Sequence, residues 1–457
     1  MSSSPRIRTR LLCTHLDGRW LLGTLLTSAL LLGACPTEPS DVVDAGDSGE
    51  LKTEPTTEPG PDDGSPDGDP PATVRLDPPI IDELLPFDLP PGTGLKDLGV
   101  VSLEDGVSRE LELKIDPSVG SFVIIAYGHP GSQLVLHRLE GPGGALLVDD
   151  APPSGLGPAE QAIARGFPAQ FFSPNRAIPS RESGAFLVPS SPDVALPPGV
   201  YRFQLGAFLV RTDAQGRTRK NPVDQPIHVV ALLNRAVPRS EPGTLDLALW
   251  FTGAGSLSAE SAPTDPALQE ALDVMREAYA EVGVILGDIA YLDLEDPSLR
   301  TVVLGDGCEG GDLDALSETS GESPYNRLNI FFIERFHCAL SGGFDIGQGI
   351  GGISSGIPGI PYAQGTTHSG VAVSTAFFLE QPGSFAIVLA HETGHFLGLY
   401  HTEEGSLFGP SGVHDPISDT AESPDSANNL MYFTVGESTA LTPGQGFVMK
   451  SNPWVTR

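Results

Sequence analysis

The eleven residues His391-Glu392-Thr393-Gly394-His395-Phe396-Leu397-Gly398-Leu399-Tyr400-His401 gather three of the chain's ten histidines around one carboxylate. Residues four apart share one face of an α-helix, so the imidazoles of His391 and His395 can reach the same metal ion. His401 supplies a third ligand if the helix stops near Gly398, because only glycine readily takes the positive φ that turns the chain back. Three neutral imidazoles leave a tetrahedral zinc ion one open position for water, the arrangement of a catalytic rather than a structural site. Glu392 follows the first ligand directly and can face that water as general base, later passing the proton to a leaving amine. The chemistry expected is hydrolysis without a covalent intermediate. At ordinary residue frequencies, such a set of fixed positions arises by chance with a probability on the order of 10⁻⁵.

The elements that must position these residues follow from patterning. An apolar approach, Phe385 to Ala390, predicts that the motif sits on a buried helix. Upstream, Leu245 to Phe251 reads as a strand, and Pro266 to about Glu281 as an amphipathic helix with Thr264 or Asp265 as cap, Pro266 in its first turn and Gly283 past its end. Strands are expected at Val284 to Leu292 and Leu328 to Ile333. A glycine-rich stretch, 342–359, leads to Gly370-Val371-Ala372-Val373-Ser374, expected to be an edge strand. Thr442-Pro443-Gly444-Gln445 reads as a capping box opening a last helix. Strand, helix, strand, strand is the start of a mixed α/β arrangement.

The motif resembles the extended HExxHxxGxxH signature of the metzincin zinc metallopeptidases. Residues 394–402 and Asp415-Pro416-Ile417-Ser418-Asp419-Thr420 are most similar to the pappalysin-like branch. The resemblance covers roughly residues 243–457. It implies a twisted mixed sheet with an active-site helix above a cleft, and a smaller irregular lower part. It also implies a methionine turn beneath the metal, which Asn429-Leu430-Met431-Tyr432 fits, Met431 being one of only four methionines. Relatives place a tyrosine two residues after this methionine to stabilise the oxyanion; Phe433 holds that position here, and Tyr432, one step earlier, is the candidate. Peptide substrates would lie along an antiparallel edge strand, expected at 370–374. Some relatives hold calcium in the loop after the third histidine, and Asp415, Asp419 and Thr420 could do so; the alternative is a turn-rich solvated loop.

Residues 75–242 show short alternating or apolar runs between Gly and Pro, among them 111–115, 121–127, 133–137 and 199–205. Period-two patterning of this kind argues for a β-sandwich. No carboxylate or cysteine accompanies His129, His137 or His228 at ligand spacing, so they read as surface or packing residues.

Residues 1–34 have the layout of a signal peptide: Arg6, Arg8, Arg10 and Arg19 precede an apolar run from Trp20 to Leu32. That run is shorter than the roughly 20 residues needed to span a bilayer. Leu32-Gly33-Ala34-Cys35 resembles the lipobox of bacterial lipoproteins, with Cys35 as the acylated residue; the alternative is a plain cleaved signal. Residues 35–74, rich in Pro, Gly, Asp and Glu, cannot bury enough surface to fold and read as a disordered, self-repelling spacer. In an oxidising compartment Cys308 and Cys338 are an even pair, expected as a disulfide, with two free buried thiols as the alternative. The net charge of −33 opposes broad contact with phosphates, which excludes nucleic acid as a substrate.

The expectation is an α+β chain: a metzincin-like catalytic domain at 243–457, preceded by an all-β sandwich-like domain. It is expected to be an exported, lipid-anchored endopeptidase, on a bacterial outer membrane or cell surface, that hydrolyses proteins or peptides. Its cofactor would be one catalytic zinc ion, with calcium a candidate second ion. The rival is a non-catalytic, zinc-containing surface binding or adhesion lipoprotein, against which an intact Glu392 weighs, since a structural zinc site needs no base.

Overall fold

The computed structural model describes residues 74–75, 89–151, 168–212, 218–235, 241–305, 308, 310–323, 326–340, 344–376, 383–404, 413–422 and 425–456. The expected signal peptide, the expected acylation at Cys35 and nearly all of the expected spacer lie outside the described residues.

Strands dominate the amino-terminal unit, where two antiparallel layers face one another. One runs in the order β1 (Thr93–Glu104), β8 (Pro226–Asn234), β3 (Ser121–Tyr127), β5 (Ser183–Val188). In the other, β6 (Gly199–Thr212) pairs with β2 (Leu111–Ile115), β4 (Gln133–Glu140) and β7 (Thr218–Asp224). Between the layers, side chains such as Phe122, Ile124, Leu113, Leu136, Phe203 and Val229 form one core. β3 is buried along its whole length. Its alternate residues Val123, Ile125 and Tyr127 point the other way, into a second core shared with the carboxy-terminal unit. A strand covered on both faces carries a continuous apolar run, which is what Ser121-Phe122-Val123-Ile124-Ile125-Ala126-Tyr127 provides. The change of topology near residue 242 is therefore not a break in packing.

The carboxy-terminal unit is built on a five-stranded sheet in the order β10 (Val284–Asp293), β9 (Gly243–Phe251), β11 (Leu328–Ile333), β13 (Val371–Ser374), β12 (Gly352–Ser354). Pairing is parallel except for β12, which runs antiparallel to β13. The edge expected at 370–374 is thus displaced: β13 is interior and fully buried, and the short β12 forms the edge. Gly352-Ile353-Ser354 lies inside the glycine-rich stretch and is too short to display a period-two pattern.

Two helices cover one face of this sheet. α1 (Pro266–Glu281) is capped by Asp265, whose carboxylate accepts from Leu268 N–H. It supports α3 (Ser384–Phe396) through a hydrogen bond from Tyr279 Oη to Ala390 O, 2.6 Å. The opposite face packs on Val302, Phe336, Leu316 of the short α2 (Asp312–Glu318) and the Cys308–Cys338 disulfide. The last helix, α4 (Pro443–Ser451), opens with the expected capping box: Thr442 receives Gln445 N–H, and Gln445 Oε1 receives Thr442 N–H. Among the described residues there are four α-helices, and strands outnumber them, an α+β composition.

Candidate metal centre

α3 is buried from Phe385 to its end and apolar all round from Phe385 to Ala390, the pattern of a helix threaded through a core. It ends in a Schellman turn: Gly398 N–H donates to His395 O (2.8 Å) and Leu399 N–H to Gly394 O (3.0 Å). Gly398 sits at φ +108°, a left-handed value that a side chain would oppose. The reversal brings His401 back over the helix. Ligand atoms of His391, His395 and His401 then lie within 4.8 Å of one another, and all three residues are buried.

Each imidazole is held through its Nδ1. That of His391 donates to Leu430 O (2.8 Å), that of His395 to Leu399 O (2.7 Å), and that of His401 to the Glu404 carboxylate (2.9 Å). A carbonyl or carboxylate can only accept, so the proton resides on Nδ1 and every Nε2 presents a lone pair. The Nε2 atoms of His395 and His401 face each other at 3.1 Å, and His391 Nε2 is buried without a hydrogen-bond partner among the described residues. Lone pairs converging in a dry site repel unless a positive centre lies among them. Burial, together with the neighbouring imidazoles, lowers the pKa of His391 to about 3 and that of His395 well below its ordinary value. Both rings are therefore neutral at pH 7, the form that binds a cation. The residues present fit a divalent metal held by three nitrogens.

Glu392 is 4% exposed, and its Oε2 accepts Ser354 N–H from the edge strand β12 at 3.1 Å. Burial pushes its pKa up to about 8, against the opposing pull of that hydrogen bond. A side chain on Gly352 would collide with it, since a Cβ there would lie 2.6 Å from Glu392 Cγ.

Met431 is fully buried, and its sulfur lies 2.8 Å from where a Cβ on Gly394 would stand. The turn around it also holds the site: Leu430 O carries His391, and Met431 O accepts Thr402 N–H (2.9 Å). Asn429 ties this turn to α4 through paired amide hydrogen bonds with Gln445, 2.9 and 3.0 Å. Tyr432 packs at a tilt against Phe433, ring centroids 4.6 Å apart, and among the described residues its hydroxyl makes no hydrogen bond to the three imidazoles. Asp415 and Thr420 are brought together, the hydroxyl donating to Asp415 Oδ1 at 2.6 Å, while Asp419 Oδ2 accepts Gly444 N–H at the start of α4. These bonds are those of a turn and a helix cap.

Sequence reasoning missed Ser354, Glu404 and Arg176. The first acts through its backbone, which no side-chain pattern records. Glu404 stands beside an identical neighbour, and only the fold sends Glu403 to Ser426 Oγ and Glu404 to His401. His368 was also passed over; it pairs with the buried Glu182 of the sandwich at 3.1 Å. His137 and His228 pair with Asp150 and Asp97 at 3.0 and 2.7 Å, away from the triad.

No protein-family model matches this chain, and no curated protein does. Among solved structures, metalloproteinase-II from Bacteroides fragilis is similar at 13% identity and a TM-score of 0.26, over 54% of this chain and 66% of that one. This chain thus spans just under two thirds of that protein's length. A family two carbohydrate esterase from Cellvibrio japonicus gives 10% identity and a TM-score of 0.10, over 55% and 68% of the two chains. Likeness at this level carries no weight for function, which rests on the site itself.

Proposed function

We propose that this chain is a zinc-dependent endopeptidase of the metzincin kind, exported and lipid-anchored through Cys35, which hydrolyses extracellular proteins or peptides. The observation that carries the reading is the convergence of ligand atoms from three buried imidazoles within 4.8 Å of one another, beside a buried carboxylate. His391, His395 and His401 would hold the ion. A zinc ion bound there supplies Lewis acidity toward a carbonyl oxygen and lowers the pKa of water.

The chain's own groups do the rest. Glu392 Oε2 is held by Ser354 N–H, which leaves Oε1 to take a proton from water and return it to the leaving amine. A cation held by the triad would oppose the burial that raises this carboxyl, favouring its ionised form as a base. The edge strand Gly352–Ser354 offers backbone groups to an extended peptide beside that carboxylate. The disulfide suits an oxidising compartment, and no helix among the described residues is long and apolar enough to cross a membrane.

Purified protein should carry one zinc per chain. Glu392→Ala should retain that zinc while cleavage of casein or a quenched peptide falls by at least about 10²-fold. Undiminished cleavage in the variant would remove Glu392 from the chemistry. A zinc-loaded wild type inert toward a broad peptide library would favour the non-catalytic binding role instead.

A further inference from the structure

Arg176 belongs to the amino-terminal unit, in the stretch between Ala169–Phe172 and β5, yet its guanidinium is buried at the junction with the carboxy-terminal unit. Its Nε donates to Phe171 O at 2.9 Å and its Nη2 to His414 O at 2.5 Å. The group lies 3.8 Å over the Phe171 ring and 5.1 Å from that of Tyr400, whose hydroxyl in turn donates to Arg176 O at 3.2 Å. These contacts fix the guanidinium in place and leave Nη1 without a hydrogen bond among the described residues. Glu404 faces Nη1 at 4.0 Å through one carboxylate oxygen and takes the His401 Nδ1 proton with the other.

A cation this deep is kept where an anion compensates it, and a largely buried carboxylate keeps its place only with a cation near by. We infer that Arg176 is a positioning residue for the metal centre: it holds Glu404 as the acceptor that orients His401, so the sandwich unit takes part in building the site. The inference rests on metal binding by the triad, not on peptide hydrolysis. Without the guanidinium, Glu404 turns toward water, and His401 loses the partner that sets its ring and strengthens its Nε2 as a donor to metal.

The test is zinc affinity, measured by chelator competition on the full chain, for wild type, Arg176→Met, Glu404→Gln and the double variant, with circular dichroism to verify folding. Each single variant should bind zinc at least about tenfold more weakly. The double variant should bind no more weakly than Glu404→Gln, since both changes break one link. An Arg176 that only stabilises the fold would weaken zinc by the same factor in either background, so additive losses overturn the inference, as does wild-type affinity in either single variant. If Arg176→Met does not fold, Glu404→Gln decides through a second readout. Removing the charge of Glu404, the nearer of the two carboxylates beside Arg176 with Asp415, should lower the melting temperature of the zinc-free protein, and an unchanged melting temperature or unchanged affinity overturns the inference. A wild type that binds no zinc refutes the metal reading beneath it, whereas bound wild type with unaltered variants refutes this inference alone.

Discussion

Gly352 shows how closely the base is fitted at the level of single residues. A Cβ there would stand 2.6 Å from Glu392 Cγ and 3.0 Å from Val388 Cγ1, distances that force the carboxylate away from Ser354 N–H. Gly352→Ala is expected to cut peptide cleavage by about 10²-fold, the penalty of a displacement near 1 Å at the reacting group, while zinc content per chain stays at the wild-type value. Full activity in this variant would show that Glu392 tolerates displacement and is not held for catalysis by the edge strand. Gly394 plays the matching part below the helix, where Met431 leaves no room for a side chain.

Among the elements, the end of α3 decides whether a metal site exists. The Schellman turn both stops the helix and aims Leu399 O at His395 Nδ1, so one reversal orients the second ligand and delivers the third. Gly398→Ala forces a side chain into the left-handed region, where a Cβ would also meet Leu187 Cδ2 at 3.1 Å. Denaturant unfolding should report a loss of about 1–2 kcal/mol, accompanied by weaker zinc binding as His401 is misplaced. Unaltered stability would mean that the turn relaxes without strain. The methionine turn and α4 form a second linked pair, since Asn429 and Gln445 bind each other while Asn429 Oδ1 also receives Met431 N–H at 2.8 Å.

Taken as a whole molecule, the two units share one core. Val123, Ile125, Leu187, Val230 and Leu232 from the sandwich pack with the sheet and helices that carry the triad. Polar bonds reinforce the junction: Arg181 meets Asp314 in a paired contact at 2.9 Å, and Ser121 Oγ donates to Ser451 O at 2.5 Å. Leu232→Ala should therefore cost about 2–5 kcal/mol and lower the thermal transition of both units together, with zinc release coinciding with loss of near-ultraviolet circular dichroism. A carboxy-terminal unit that melts at its wild-type temperature in this variant would contradict a shared core.

Local information sufficed for what local rules govern. Periodicity four put His391 and His395 on one face, glycine at 398 announced the reversal, and Thr264-Asp265 and the Thr442-Gln445 box marked helix starts, because caps and helix faces depend on neighbours a few residues away. The strands at 245–251, 284–292 and 328–333 were legible for the same reason. What required the tertiary structure was every relation between distant segments. The place of Val371–Ser374 inside the sheet, the choice of Gly352–Ser354 as edge, the use of Ser354 N–H to hold Glu392, and the meeting of Arg176 with Glu404 across more than two hundred residues leave no periodic trace. Which hydrogen bonds form across such separations is decided by packing, and packing is a property of the whole chain rather than of any stretch of it.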